Sequence, residues 1–410
     1  MKFCMFHLMP YRDLPADFED QYRSICVDVP SHLYDPLMGS RMYNDALDEL
    51  VYADKMGMDG VCVNEHHSHM YGMMPSPNLM AAALARETKQ AAVIVLGNSL
   101  PLYSPAIRVA EEFAMLDAIS GGRLIAGFPV GSSHDTNFSY GEVPATLREK
   151  YREAHDLIIQ AWTRDEVFSF NGKFNQLRYV NVLPKPIQKP HPPIWVPGGG
   201  SVETWDFCLE NDYVYCYLSY SGYENGMTRI RGFWDRAEEL GYDNNPYRAG
   251  FLQLVVVSET DEQAEKDYAE HAMYFFKKCL HTYAGFVEAP GYRTMNTITR
   301  NLRSTFANAR TQQAEEWTWR DYVDAGNIIA GSPATVRDRL REAIKGLNVG
   351  NLMVLLHIGS MPKELTMKNI QMFSEEVMPH LQDMWPEWEN RWWIKPVGQA
   401  SREAVSTPGD

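Results

Sequence analysis

Eight short apolar segments recur along this 410-residue chain, and helical patterns fill most of the spaces between them. The segments fall at residues 2–9, 61–63, 91–96, 124–129, 194–196, 213–218, 251–257 and 351–357. They are short and mostly continuous in apolar character, so each is expected to be a strand buried on both faces. Between them, stretches such as residues 41–56, 106–119, 146–162, 202–210 and 261–280 read as helices. In the first of these, Met42, Ala46, Leu50 and Ala53 share one face. No strand–strand turn of the Asn-Gly type is counted between apolar runs. Strand–helix units in series build a parallel sheet, and eight of them favour closure into a (β/α)8 TIM barrel over an open, doubly wound sheet. No Gly-x-Gly-x-x-Gly follows the first strand, as a dinucleotide-binding sheet would require. Residues 1–381 are expected to form the barrel domain. Residues 382–410 are expected to be a tail, first Trp-rich and then disordered. Two irregular stretches, residues 11–41 and 280–325, are expected as insertions at the C-terminal face of the strands, leaning over the site as lids.

Composition narrows the function classes. With 45% hydrophobic and 22% charged residues the chain has material for a large core. A net charge of −15 argues against nucleic acid or an anionic membrane surface as partner. Cys4, Cys26, Cys62, Cys208, Cys216 and Cys279 show no paired spacing and suit reduced, buried thiols in the cytoplasm. The N-terminus looks like a strand rather than a signal peptide, and no apolar run reaches membrane-spanning length.

The chemistry is expected where the second strand ends. Residues 61–63 run straight into Asn64, Glu65, His66 and His67, with His69 just beyond. Parallel α/β folds bind ligands at the carboxyl ends of their strands, so clustered titratable groups there point to a site rather than a merely polar loop. Strand alternation sets His66 and His67 on opposite faces, with His67 the better candidate for packing. His134, after the fourth strand, is a second candidate. Gly198, Gly199, Gly200 and Ser201 stand between a strand and a helix start. Glycines let the backbone approach a phosphate, and free N–H groups at a helix N-terminus favour an anion. A flexible turn is the plainer alternative. Asn98 ends the third strand, either as a ligand contact or as a turn residue. Met70, Tyr71, Met73, Met74, Tyr103, Phe128, Tyr215, Tyr217 and Tyr220 could line an apolar pocket, though such residues are more often core. Arg300, Arg303 and Arg310 suit a solvated face better than a substrate acid group. A homo-oligomer, dimer or tetramer, is expected. Trp385, Trp388, Trp392 and Trp393 could cover a helix or a subunit interface.

The segment Asn64-Glu-His-His67 and the run from Ala106 to Arg123, with its Ala-Glu-Glu, Leu-Asp and Ser-Gly-Gly-Arg, resemble the bacterial luciferase-like flavin-dependent monooxygenases. So do Gly127 to Gly131, Arg148 to Glu153 and Pro192 to Gly200. The resemblance implies a barrel, reduced FMN as cofactor and O2 as co-substrate. It also implies a C4a-peroxyflavin that oxygenates a small organic substrate, and a separate flavin reductase as partner. Carried onto this chain, it implies His66 and Glu65 as catalytic residues. Asn64, Asn98, Gly131, Tyr151 and Gly198 to Ser201 would contact the flavin. Many members place an Arg after the fourth strand, where this chain has Val130; Arg148, Lys150 or Tyr151 could replace it. No metal site is assigned. Three alternatives remain: a metal-dependent barrel hydrolase built on Glu65, His67 and His69, a non-catalytic flavin-binding homologue, and a deazaflavin-using oxidoreductase.

Overall fold

The computed structural model describes residues 1–287, 289–295, 297 and 317–396. Eight parallel strands close a barrel. They are β1 (Lys2–Phe6), β2 (Gly60–Val63), β3 (Ala92–Val95), β4 (Leu124–Gly127), β7 (Ile194–Gly198), β8 (Val214–Tyr217), β9 (Ala249–Val257) and β11 (Asn351–Leu355). Each pairs with the next, and β11 returns to β1 with Lys2 opposite Asn351. Nearly all of their residues are buried, as the continuous apolar runs require. Helices wrap the outside, among them Pro36–Lys55, Ile107–Ser120, Leu147–Thr163 and Pro333–Leu347.

Three strands depart from the expectation. β10 (Ile328–Gly331) pairs along the second half of β9, after β8 has paired along the first. Only Ile328, Ile329 and Ala330 separate its flanking polar residue and glycine, too short a run to stand out in the sequence. β5 (Phe168–Asn171) and β6 (Gln176–Val180) form an antiparallel hairpin outside the barrel. Its turn does contain Asn171-Gly172, so the absence of a hairpin signal is corrected. The turn is organised by Glu153, whose carboxylate accepts the backbone N–H groups of Lys173, Phe174 and Asn175. The helix over residues 41–56 begins earlier, at Pro36, with Asp35 accepting from the Leu37 N–H as its cap.

The Ser-Gly-Gly-Arg run is scaffold. Gly121 ends its helix in the left-handed conformation at φ 71°. Arg123 is buried, and its guanidinium donates to Thr88 Oγ1 and to the carbonyls of Ala85, Thr88, Ala91 and Ser120. One side chain thereby satisfies backbone acceptors around the lower ends of β3 and β4.

The tail is not separate from the barrel as far as residue 396. The Met1 ammonium donates to the carbonyls of Gln382 and Met384, and Trp385 and Trp392 donate to the carbonyls of Val349 and Asp212. Trp393 packs beside Trp195. These tryptophans cover the N-terminal end of the barrel. Residues 397–410 lie outside the described residues.

At the other end, His7 and His357 follow β1 and β11, and Glu49 reaches them from the helix Pro36–Lys55. Glu49 Oε2 stands 2.8 Å from His7 Nε2 and 3.1 Å from His357 Nδ1, with the two rings stacked at 4.7 Å. Burial alone would raise the Glu49 carboxyl, but the two imidazoles outweigh it and hold it at about 2. A depressed acid stabilises the fold above its unfolded value, near 4.5, and that contribution is lost as pH falls toward 2. We expect Glu49→Gln to cost about 3 kcal/mol at pH 7. In denaturant melts the gap to wild type should narrow steadily below pH 4.5; a pH-independent gap would contradict the assignment.

Candidate active site

A cavity of about 330 Å³ opens at the carboxyl ends of the strands. Its walls come from the segments after β2, β3, β4, β7 and β8, together with Tyr292, Arg293 and Thr297 from the described part of the second insertion. That insertion is stitched to the mouth. The Tyr292 hydroxyl donates to the Gly131 carbonyl, Ala289 N–H donates to Ser133 Oγ, and Thr294 and Thr297 donate to Glu203. The first insertion pairs with it through Ser24 and Thr282. Both therefore reach the expected end of the barrel; Arg300, Arg303 and Arg310 lie outside the described residues.

The segment after β2 sorts its side chains by alternation. Glu65 and His67, two residues apart, pair with each other at 2.7 Å. The remaining capacity of Glu65 is taken by the Ser99 N–H at 2.7 Å and the Tyr103 hydroxyl at 3.0 Å. Burial, then the Glu65 carboxylate, pushes the Tyr103 phenol up. Glu65 and His66 both line the cavity, but their polar atoms take different partners: Glu65 ties the ends of β2 and β3 together. His67 is not plain packing either, because it belongs to this network and meets the Tyr140 hydroxyl at 3.3 Å.

His66 turns the other way and meets Asp135. Its Nδ1 lies 2.9 Å from Asp135 Oδ2, while the His67 N–H donates to Oδ1 at 2.7 Å and His69 Nε2 lies 3.0 Å from it. Ser132 also donates to this carboxylate. Burial opposes ionisation of Asp135, but the His66 and His69 rings prevail and hold it well below the usual carboxylate range. The face of His66 is fixed by Tyr71, edge-on at 4.8 Å, and by Gly72, where an added Cβ would stand 2.7 Å from the His66 ring. Asp135 is the residue that sequence reasoning missed. Its signal was its place beside His134 after β4.

The glycine turn forms the far wall. Gly198, Gly199, Gly200 and Ser201 all line the cavity, and Gly200 has φ 97°, which only glycine adopts without strain. An added Cβ at Gly199 would meet nothing within 4 Å, so this backbone faces open space. Arg148 also lines the cavity, with its Nη2 3.4 Å from Ser201 Oγ and its Nε buried without a hydrogen-bond partner. Of the three candidates for a positive or polar partner, Arg148 is the one placed here. Lys150 is paired with Glu142 at 2.6 Å, and Tyr151 is buried away from the cavity, donating to the Phe128 carbonyl. Asn98 is likewise away from the wall: it accepts from Asn78 and donates to Tyr103. Both expected contacts are corrected for the same reason, a buried partner that claims the polar atoms. Asn64 lines the cavity, donating to the His7 carbonyl and keeping a buried, unpartnered Oδ1. Gly131 lines it at φ 101°, where any Cβ would strike Ser99 Oγ. Among the expected aromatics, Tyr71 and Tyr220 line the cavity and join hydroxyls at 2.8 Å; Phe128 and Tyr215 are core.

The hydrolase alternative required Glu65, His67 and His69 to converge. The three do not: Glu65 and His67 pair with each other, whereas His69 turns to Asp135.

The family model for luciferase-like monooxygenases matches residues 27–349. The chain belongs to the luciferase-like monooxygenase family. It is 24% identical over 359 residues to limonene 1,2-monooxygenase of Rhodococcus erythropolis, covering 86% of this chain and 84% of that one. It is 28% identical over 233 residues to the oxygenase component of the flavin-dependent trigonelline monooxygenase of Acinetobacter baylyi, covering 55% and 62%. Its fold matches the oxygenating constituent of 3,6-diketocamphane monooxygenase from Pseudomonas putida, solved in complex with FMN. There the TM-score is 0.68 at 20% identity, over 92% of this chain and 98% of that one. Among the described residues, no helix is long and apolar enough to cross a membrane.

If Glu65 is an anchor, its loss is first a loss of stability. Glu65→Ala removes the acceptor of a buried backbone N–H and a buried hydroxyl, so we expect roughly 2–4 kcal/mol of destabilisation. A chemical-denaturation midpoint equal to wild type would show that the β2–β3 tie is not formed by this carboxylate.

Proposed function

We propose that this chain is the oxygenase component of a two-component monooxygenase that takes reduced FMN from a separate reductase and oxygenates a small organic substrate. The observation that carries the reading is one cavity with the glycine turn, Ser201 and Arg148 at one wall and the His66–Asp135 pair at another. The first wall fits a flavin phosphate: the open backbone at Gly199, the unpartnered Nε of Arg148, Ser201 and the start of the helix Val202–Glu210 form one anion-favouring concavity. Asn64, with its free Oδ1, and Gly131 would flank the rest of the cofactor. When bound, reduced FMN supplies the electrons that activate O2.

The protein's own residues then have defined tasks. With Nδ1 of His66 held by Asp135, Nε2 is the nitrogen left to exchange a proton with a bound molecule. Ionised Asp135 fixes the tautomer and steadies the ring when it carries positive charge. Phe6, Leu96, Leu102 and Leu218 line the cavity between these ends and keep it poor in water. The same apolar lining, with the Tyr71–Tyr220 pair, suits an uncharged, largely apolar substrate.

Two variants test the two walls. In Gly199→Val the branched side chain extends into open space, so the fold should persist while affinity for FMN or reduced FMN drops at least tenfold, roughly 1.4 kcal/mol or more. Parallel titration with a deazaflavin identifies the preferred cofactor; tight binding of the deazaflavin alone would replace the FMN reading. His66→Ala should bind flavin nearly as wild type. Product should fall by roughly two to four orders of magnitude, with the oxygen recovered as hydrogen peroxide. Wild-type coupling in His66→Ala would move the proton-transfer group elsewhere.

A further inference from the structure

The pocket chemistry uses His66 and Asp135 but leaves two neighbouring imidazoles unexplained. His69 is fully buried; its Nε2 meets Asp135, and its Nδ1 has no hydrogen-bond partner. His134 is stranger. Both of its ring nitrogens are buried without a hydrogen-bond partner, and Nε2 stands 3.7 Å from Asp135 Oδ2, beyond hydrogen-bond reach. A polar cluster built only to satisfy Asp135 has no use for this ring. His66, His69, the His67 N–H and Ser132 already supply donors to both carboxylate oxygens. An apolar side chain would fill the space of His134 without burying two nitrogens unsatisfied.

One ligand atom from each of His66, His69, His134 and Asp135 lies within 4.8 Å of the others. Donors held at about 2.0–2.2 Å by one ion lie roughly 3–4.4 Å apart. Small ring rotations therefore bring all four onto a common centre. The elements suit this: His66 and His69 come from the loop after β2, while His134 and Asp135 begin the turn after β4. A shared ion would join the ends of β2 and β4, the two strands that flank β3, at the cavity wall. Three imidazole nitrogens and one carboxylate oxygen form a borderline donor set, suited to a first-row transition ion and poorly suited to Ca²⁺ or Mg²⁺.

We propose that His66, His69, His134 and Asp135 form a binding site for a divalent first-row metal ion of the Zn²⁺ or Co²⁺ type. An ion there competes with a proton for His66, so occupancy and oxygenation exclude each other; this consequence rests on the function proposed above. The binding site itself does not, because metal binding is read without flavin, oxygen or turnover.

The test is a Co²⁺ titration of the full-length, flavin-free protein at neutral pH, followed by visible absorption. We expect saturation at one equivalent with ligand-field bands that Zn²⁺ abolishes. X-ray absorption of the Zn²⁺ form should show three imidazoles on the ion. His134→Ala, which removes a ring with no hydrogen bond to lose, should weaken binding by at least roughly tenfold. The proposal is overturned by the absence of saturable binding at micromolar protein, or by undiminished binding in folded His134→Ala. Should that variant not fold, a wild-type absorption spectrum with fewer than three imidazoles overturns it equally.

Discussion

The Asp135 carboxylate is the constraint on which the mouth of this barrel depends. It is buried, ionised and shared among groups from two strand ends: two imidazoles, the backbone N–H of His67 and the hydroxyl of Ser132. A buried charge is tolerated only where such donors surround it. Meeting that demand draws the loop after β2 onto the turn after β4 and leaves His66 a single orientation. The His66 ring is placed by this buried partner together with the packing of Tyr71 and Gly72.

A second carboxylate works one residue out of phase. Glu65 faces away from His66 because successive side chains of extended backbone point to opposite sides. It collects His67, Tyr103 and the Ser99 N–H and so ties β2 to β3. Two acids within one mouth therefore have separate tasks: Glu65 closes the wall, and Asp135 orients the ring inside it. A third, Glu49, joins β1 and β11 to an outer helix through His7 and His357. Imidazole–carboxylate pairing thus recurs around the rim, where strand ends need polar partners and the solvent is excluded.

The rigid platform beneath is equally specific. Arg123 saturates carbonyls around the lower ends of β3 and β4, and the N-terminal ammonium and tail tryptophans close that same end. With the lower end fixed, variation in loop length at the upper end changes the cavity without disturbing the strands. The described parts of the two long insertions are both at that end, joined by Ser24 and Thr282.

The sequence by itself determined the barrel, the carboxyl-end location of the site and the glycine turn. Each follows from local signals. Buried parallel strands are continuous apolar runs, helices show their period, and Gly198 to Ser201 sit between the two. It missed β10, whose run is too short to stand out, and the hairpin, whose half-exposed strands lack a long apolar signature. Only the tertiary structure decided which polar groups meet. Asp135 lies 69 residues from His66, and Arg148 lies 53 from Ser201. Asn98 and Tyr151 had suitable chemistry but were claimed by partners that no local pattern predicts. Periodicity reports which face of an element is buried. Pairing across the barrel depends on strand order, register and the desolvation of each group, and those exist only once the chain has closed.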